Sequence, residues 1–362
     1  FTEGISGQYD PLNQFLYTLL FLMGGYNPTL FHIVSLLLHT ANISCVFALL
    51  GTLLKDCTTI DKERCKWIVV ITTLFFAIHP LQVETVAWVS ASKILLSTLF
   101  YLLATIMLIR FLKSGRIMDY AFILLYFLLS YLSKEAAITF PLWASLLCLW
   151  YKVTTRDNLF WKVLLPLYGF ALLMVLHTIF IVTQYDHFIQ GNTYVWWQRF
   201  VLFFYSITTY IFKWLVPLRL SWMYSFPAPV DKPLPAWLIP YPLLFCLLVY
   251  AIWDWLKGQN VASALIFSLF HLLLVLHIIA LPRGGVIADR YMYLPILGLN
   301  FILAYTLTDS KRFVCNRIII ISFISLLAAG CMTLSYHRTK KWDDSSTLKN
   351  KKSIRTNYIQ IL

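Results

Sequence analysis

Tyr120–Trp150 reads YAFILLYFLLSYLSKEAAITFPLWASLLCLW. Two apolar runs, Ala121–Leu132 and Ala136–Trp150, meet at Lys134 and Glu135 with almost no residues left for a loop. That pattern predicts a tight helical hairpin whose charged tip lies at a membrane surface. Hydrocarbon cannot solvate an ionisable residue, so a charge in such a place marks a functional site by default. Four further junctions between apolar and polar sequence carry the same signal: His79/Glu84, Lys93, Asp186/His187 and Arg283/Asp289/Arg290.

Outward from the hairpin the chain keeps this character. It is 60% hydrophobic and 12% charged, against roughly 45–50% and 25% in soluble domains. Mean hydropathy is +0.73. The expected class is an all-α polytopic membrane protein. Ten runs span or nearly span: Leu30–Leu54, Trp67–Ile78, Ile94–Leu112, Tyr120–Leu132, Ala136–Tyr151, Val163–Thr183, Trp237–Trp255, Ala262–Leu281, Met292–Leu307 and Ile318–Leu334. Several are shorter than the ~20 residues of an upright span, so flanking polar residues must extend them. Runs this continuous exclude a transmembrane barrel, whose strands alternate apolar and polar residues. Phe15–Met23 is too short to cross and reads as a helix along the outer interface.

Orientation follows from Lys and Arg, which collect in cytoplasmic loops. Alternate loops hold 14 of them (Lys55, Lys62, Arg64, Lys66, Arg110, Lys113, Arg116, Lys152, Arg156, Lys162, Lys257, Lys311, Arg312, Arg317), against eight in the intervening loops. This places every charged junction named above outside. The parity holds only if Phe200–Val216 does not cross as one full span, so it reads as re-entrant or interfacial. The tail then lies outside despite its seven remaining basic residues, which a translocated segment tolerates. The organisation expected is a transmembrane domain over 1–336 and an outer-side tail over 337–362. No basic start precedes an apolar core at FTEGISGQYDPLNQ, so no cleavable signal peptide is read and the chain is expected to begin inside a longer protein.

None of the seven cysteines falls in an outer loop, which fits reduced thiols and argues against a disulfide framework or thiolate metal site. The net charge of +13 points to lipid headgroups rather than nucleic acid, because no soluble basic domain exists to hold one.

His79–Lys93 reads HPLQVETVAWVSASK. Pro80 and Glu84 suit a helix start, so Glu84 either stabilises that start or lines an outer cavity with Trp88, His79 above and Lys93 at the far end. Val286–Pro295 reads VIADRYMYLP. Asp289 is a candidate N-cap, and Arg290 puts a cation where a helix N-terminus calls for an anion; together they suit a phosphate. The alternative is an Asp289–Arg290 surface pair or snorkelling to headgroups. Arg283, followed by Gly284 and Gly285, adds weight to the phosphate reading. Lys134 and Glu135 form either a structural ion pair or a phosphate contact with its supporting carboxylate. His32 and His39 read as core or interfacial residues, and no convergent carboxylates suggest a divalent metal. The aromatic segment from Asp186 to Trp237, with YVWWQRF and LSWMYSFPAPVDKPLP, fits an interfacial belt or a surface that stacks on sugars and prenyl chains.

HPLQVETVAWVSASK, YLSKEAAITFP, IADRYMYLP and HRTKKWDDSSTL, in that order, resemble the bacterial multispanning tetratricopeptide-repeat proteins, which are similar to the eukaryotic transmembrane-and-tetratricopeptide-repeat O-mannosyltransferases. QYDPLNQFLYTLLFLMGGYNPTLFHIVSLLLH and FKWLVPLRLSWMYSFP extend the likeness over nearly the whole chain. The resemblance implies a GT-C fold with about ten transmembrane helices plus interfacial or re-entrant ones. It implies transfer of a mannose-like sugar from a polyprenyl- or dolichyl-phosphate donor to a protein or glycan acceptor, without a cofactor. The site would face the periplasm of a bacterial inner membrane, or the lumen if the membrane is that of the endoplasmic reticulum. Three departures stand out. The family's acidic pair would precede Phe1, Ile94 replaces the usual Asp after the motif lysine, and the repeats that follow the last span are reduced to a stub.

The expected activity is an inverting glycosyl transfer in which a carboxylate activates the acceptor and cations stabilise the leaving lipid phosphate. Arg290, Lys134, Lys93, His79 and Arg283 are the candidate phosphate contacts; Glu84 and then Asp10 are the candidate catalytic acids; Glu135 and Asp289 support them. The base is also sought among residues before Phe1. The alternative class is a non-catalytic transporter, flippase or assembly subunit.

Overall fold

A computed structural model describes residues 9–57, 60–151, 158–184, 194–230, 232–251, 258–278, 285–309 and 316–342. Thirteen α-helices and several 3-10 turns make up the described residues, and no strand occurs among them. In chain order they are α1 (Pro11–Gly24), α2 (Pro28–Cys57), α3 (Lys62–Ile78), the short α4 (Val83–Ala87), α5 (Ser92–Ser114), α6 (Ile117–Ser133), α7 (Phe140–Trp150) and α8 (Asn158–Gln184). Then follow α9 (Trp196–Leu215), α10 (Tyr241–Ala251), α11 (Gln259–Leu272), α12 (Ile296–Leu307) and α13 (Arg317–Thr339).

Every expected apolar run carries a helix, interrupted by turns or bends at Ile239–Pro240, Leu276–Ile278 and Tyr293–Pro295. Among the described residues four helices can cross a membrane by length and apolarity: Pro28–Asp56, Val89–Ser114, Phe160–Ile181 and Arg317–Thr339. A fifth candidate is the bent pair Lys62–Ile78 and Pro80–Ala87, which turns by 46°. The runs in α6, α7, α10, α11 and α12 lie on helices of 10–17 residues. This is a helical membrane protein. Its outward faces are lined with apolar residues such as Leu22, Leu37, Leu165, Leu173, Ile318 and Leu326, which only lipid can cover at such density.

Local chemistry explains where the helices stop. Asp61 caps α3 by accepting from the backbone amides of Glu63 and Arg64 at 3.0 and 3.3 Å. Gly115 closes α5 at φ 65°, a left-handed conformation suited to a residue without Cβ, and returns the chain into α6. Ser97 and Ser130 lock that hairpin, each donating to the other's carbonyl at 3.0 and 2.8 Å. Inside the bundle Asn42 donates to Leu95 O (3.0 Å) and to the Tyr293 hydroxyl (3.1 Å). His39 takes the Tyr293 proton at Nδ1 (2.7 Å) and donates from Nε2 to Ala77 O (3.1 Å). Such bonds join α2, α3, α5 and the entry to α12 where no water competes.

Two sequence expectations gain detail. α1 is a short helix with one apolar exposed side, tied to the start of α5: Tyr17 donates to Val89 O at 2.5 Å and Ser92 to Asn13 Oδ1 at 2.9 Å. α9 covers Phe200–Val216 almost whole. It buries Val201, Leu202, Ser206, Ile207 and Tyr210 and exposes Trp196, Phe200 and Phe212, and it is not among the helices apolar enough to cross. One expectation is corrected. The boundary at 336/337 does not exist as a structural edge, because α13 continues to Thr339 and buries Arg338.

α11 and α12 pack so closely that a Cβ on Gly298 would stand 2.2 Å from Ala264 O and 2.3 Å from Ser268 Oγ. Gly298→Ala is therefore expected to destabilise the detergent-solubilised protein by about 1–3 kcal/mol. Gly169→Ala, with nothing within 4 Å, should be neutral or stabilising by up to ~1 kcal/mol. Equal thermal shifts in the two variants would contradict the close packing.

Candidate functional site

His79 is where the sequence first departs from a straight helix, and the turn that follows assembles the site. Its backbone is extended (ψ 135°), α3 ends, and Pro80–Gln82 form a 3-10 turn leading into α4. Gln82 holds the turn by donating to Phe76 O and Tyr293 O, both at 3.2 Å. The side chain of Glu84 is thereby turned inward and is 0% exposed.

A second segment reaches the same place from the far end of the sequence. Asp289–Met292 form a 3-10 turn ahead of α12. Tyr210 clamps it by accepting from Ala288 N at 3.2 Å. The Tyr224 backbone pairs with Ile287 in an isolated bridge. Gly285 lies so near Tyr224 that a Cβ would stand 2.7 Å from its carbonyl oxygen; the close approach expected of the glycines is to the chain itself.

Arg290 Nη1 donates to Glu84 Oε1 at 2.7 Å, and Arg338, near the end of α13, donates from Nη2 to Asp289 Oδ2 at 2.7 Å while standing 3.5 Å from Glu84 Oε2. Arg338 Nη1 also donates to Pro80 O at 2.7 Å. Tyr224 donates to Asp289 Oδ1 at 2.9 Å. Two carboxylates and two guanidiniums thus interlock. Burial, together with the neighbouring Asp289, pushes the Glu84 carboxyl upward against the pull of Arg290 and Arg338. Burial also raises Asp289, opposed by Arg338 and Lys213. Aromatic rings cover the cluster: Arg290 lies 5.0 Å from the ring centroids of both Trp88 and Tyr291, and Trp88 stacks on Trp342 at 6.0 Å.

Beyond Arg290 a cleft opens between α5, the Glu135–Thr139 turn and the end of α11. Lys134 and Arg290 both line it. Lys134 follows α6 in extended conformation, and its Nζ stands 5.3 Å from the Tyr291 ring. Lys93 lies elsewhere, paired with Asp10 at 3.2 Å where α1 meets α5. A wider groove of about 670 Å³ on the other side runs past His32, His39, His79, Gln82, Met332 and Trp342.

The sequence-derived candidates fall out as follows. Arg290, Glu84 and Asp289 come together, and Lys134 joins Arg290 at the cleft. Asp289 does not cap a helix; Ala288 holds that position and the carboxylate binds Arg338 instead. The carboxylate paired with Arg290 is Glu84, not Asp289, so the alternative of an Asp289–Arg290 surface pair is corrected. Glu84 is fully enclosed and paired with Arg290. His79 is corrected as well: Nε2 donates to Trp214 O at 3.1 Å and Nδ1 accepts from Leu81 N at 3.2 Å, so both ring nitrogens serve the fold. Glu135 opens the turn after Lys134. Arg283, Gly284, Asp186 and His187 lie outside the described residues. Sequence reasoning missed Arg338, Tyr224, Lys213 and Trp342. The signal for Arg338 was present in HRTKKW, at the end of the last apolar run. Among the described residues no group of three His, Cys, Asp or Glu converges as a metal site.

No protein-family model, curated protein or solved structure matches this chain.

Two outcomes follow from this geometry. Arg338→Met leaves two buried carboxylates with one guanidinium and should cost ~3–5 kcal/mol, measured by denaturation in micelles. A loss below ~1 kcal/mol would show that the cluster is solvated. The second concerns pH. Burial lowers the His79 pKa to about 4, with the Trp214 carbonyl opposing and Arg338 assisting. Below the unfolded value of ~6.5 the unfolded chain takes a proton that the folded one refuses, so stability falls as pH drops from there towards 4 and is unaffected above. The stability advantage of wild type over His79→Gln should accordingly shrink in acid. A difference that is flat or grows on acidification would contradict a neutral, buried His79.

Proposed function

We propose that this chain is a membrane glycosyltransferase that moves a mannose-like sugar from a polyprenyl- or dolichyl-phosphate donor to a protein or glycan acceptor. The reading includes a GT-C-like bundle of ten crossings with the site on the periplasmic or lumenal face. One observation carries it. Five of the stretches that carry the resemblance, lying between His79 and Trp342 in the described residues, supply side chains to one region. His79–Lys93 supplies Glu84, IADRYMYLP supplies Asp289 and Arg290, HRTKKW supplies Arg338 and Trp342, YLSKEAAITFP supplies Lys134, and FKWLVPLRLSWMYSFP supplies Tyr224. Residues needed only for packing have no reason to concentrate charge there.

In this reading Arg290 and Lys134 receive the lipid-linked phosphate at the cleft, and Glu84 holds the guanidinium in place. The acceptor oxygen attacks the anomeric carbon as the bond to phosphate oxygen breaks. The phosphate departs with the electron pair, and a carboxylate takes the acceptor proton. With Glu84 enclosed, that role passes to Asp10, whose side chain retains 13% exposure beside Lys93. Enclosure of both Glu84 and Asp289 also suits the alternative, a non-catalytic transporter, flippase or assembly subunit.

Lys134→Gln should weaken binding of a short-chain prenyl phosphate by ~1.5–3 kcal/mol, the cost of a lost charge-assisted contact, with thermal stability little changed. Arg290→Lys should lose part of the affinity, because a point charge cannot replace a planar fork. Full affinity in both variants would remove the phosphate reading. Donor binding without sugar transfer by the full-length protein would favour the non-catalytic alternative.

A further inference from the structure

The cleft that Lys134 and Arg290 line encloses about 60 Å³ in all and is lined as well by Ser97, Thr98, Tyr101 and His271. Its floor holds two polar atoms that the fold leaves unanswered. His271 Nδ1 lies 2.7 Å from Phe267 O, one turn back on α11. A carbonyl oxygen only accepts, so the ring proton is on Nδ1, and Nε2 of the neutral ring is a bare acceptor, buried and without a partner. The Tyr101 hydroxyl is also buried without a hydrogen bond of good geometry. Thr139, itself donating to Ala136 O at 3.1 Å, stands beside it but not in hydrogen-bonding geometry. The two rings meet edge to face at 4.9 Å, which fixes the acceptor and the hydroxyl side by side.

Buried polar atoms are nearly always satisfied, and an exception calls for a partner that comes and goes. Here the partner must donate to His271 Nε2 and accept from Tyr101, and it must be small. A hydroxyl does both. At about 60 Å³ for the whole cleft, where one water needs roughly 10–15 Å³ of such space, there is room for a few waters or one hydroxyl-bearing arm, but not for a sugar ring. We propose that the Tyr101 hydroxyl and His271 Nε2 form a specificity pocket that reads one hydroxyl of the glycosyl group whose phosphate is held by Lys134 and Arg290. The inference rests on the lipid-phosphate reading above and adds to it which residues recognise the sugar. In the resting protein water fills the pocket, and the entering hydroxyl replaces it.

The test uses the full chain in lipid nanodiscs with two probes, citronellyl phosphate and citronellyl-phosphoryl-mannose. Wild type should bind both, the mannosyl form more tightly. His271→Phe and Tyr101→Phe, each keeping its ring, should bind citronellyl phosphate as wild type does but lose about tenfold of the mannosyl advantage, the worth of one buried hydrogen bond. His271→Gln, which offers an amide oxygen as acceptor, should recover part. Unchanged citronellyl phosphate binding shows that the variants are folded. If the mannosyl group adds nothing in wild type, or adds as much in both phenylalanine variants, the pocket holds water only and the proposal falls while the phosphate site stands. If wild type binds neither probe, the lipid-phosphate reading itself falls and takes the pocket with it.

Discussion

Two carboxylates, Glu84 and Asp289, are each 0% exposed at one end of an apolar bundle, and nothing in the fold is tolerable unless both are neutralised. Isolated charges there would cost far more than any single packing contact returns. Arg290 and Arg338 meet the requirement from different directions, one from the entry to α12 and one from the end of α13. The consequence is topological. α3, α4, α12 and α13 must all end at the same level, and the Pro80 carbonyl, the Tyr224 hydroxyl and the stacked indoles of Trp88 and Trp342 close the remaining sides. Such a cluster adds little net stability over apolar side chains of equal volume. What it supplies is register, since both ion pairs form only when these four helices meet at this level.

Arg290 is the hinge between that framework and the chemistry proposed for it. One nitrogen is committed to Glu84, two aromatic rings flank the guanidinium, and the same side chain lines the cleft with Lys134. A cation prepared in this way meets a phosphate without having to be reorganised on its arrival. Deeper in the bundle Asn42 Nδ2, His39, Tyr293, Ser97 and Ser130 find partners among themselves or the backbone and hold helices together. Among the buried polar atoms without a partner, His271 Nε2 and the Tyr101 hydroxyl border the cleft.

Periodicity and hydropathy located the helices because burial in lipid acts on every residue of a run; α2, α5, α8 and α13 need no tertiary information to be seen. The break in the apolar sequence at Lys134 was readable for the same reason, through the placement of charge, although α6 and α7 do not pack side by side as the expected hairpin. Pairing was not. Glu84 and Arg290 are 206 residues apart and Arg338 and Asp289 are 49 apart, and sequence alone does not say which cation answers which anion. Arg338 was counted with the tail because HRTKKW is polar, although helical geometry carries α13 one further turn and brings its guanidinium inward. His79 was read as lining a cavity with Glu84 and Trp88; only the positions of Trp214 and Leu81 reveal that both nitrogens are spent. Lys93 looked adjacent to Glu84 along the chain, but the turn at Val89–Ala91 sends it to Asp10.

The claim on which everything above depends is that the end of α13 lies against the segment after His79. Trp88 and Trp342 are far apart in sequence and stacked in space, so a Trp88→Cys/Trp342→Cys pair, in a background with the native cysteines changed to serine, tests it in native membranes. A short bismaleimide should join the two positions within one chain, so that after cleavage between α8 and α9 the two fragments stay linked, while either single-cysteine protein separates. Fragments that separate in the double variant, with both cysteines proven reactive towards a monofunctional maleimide, would show that the cluster does not form.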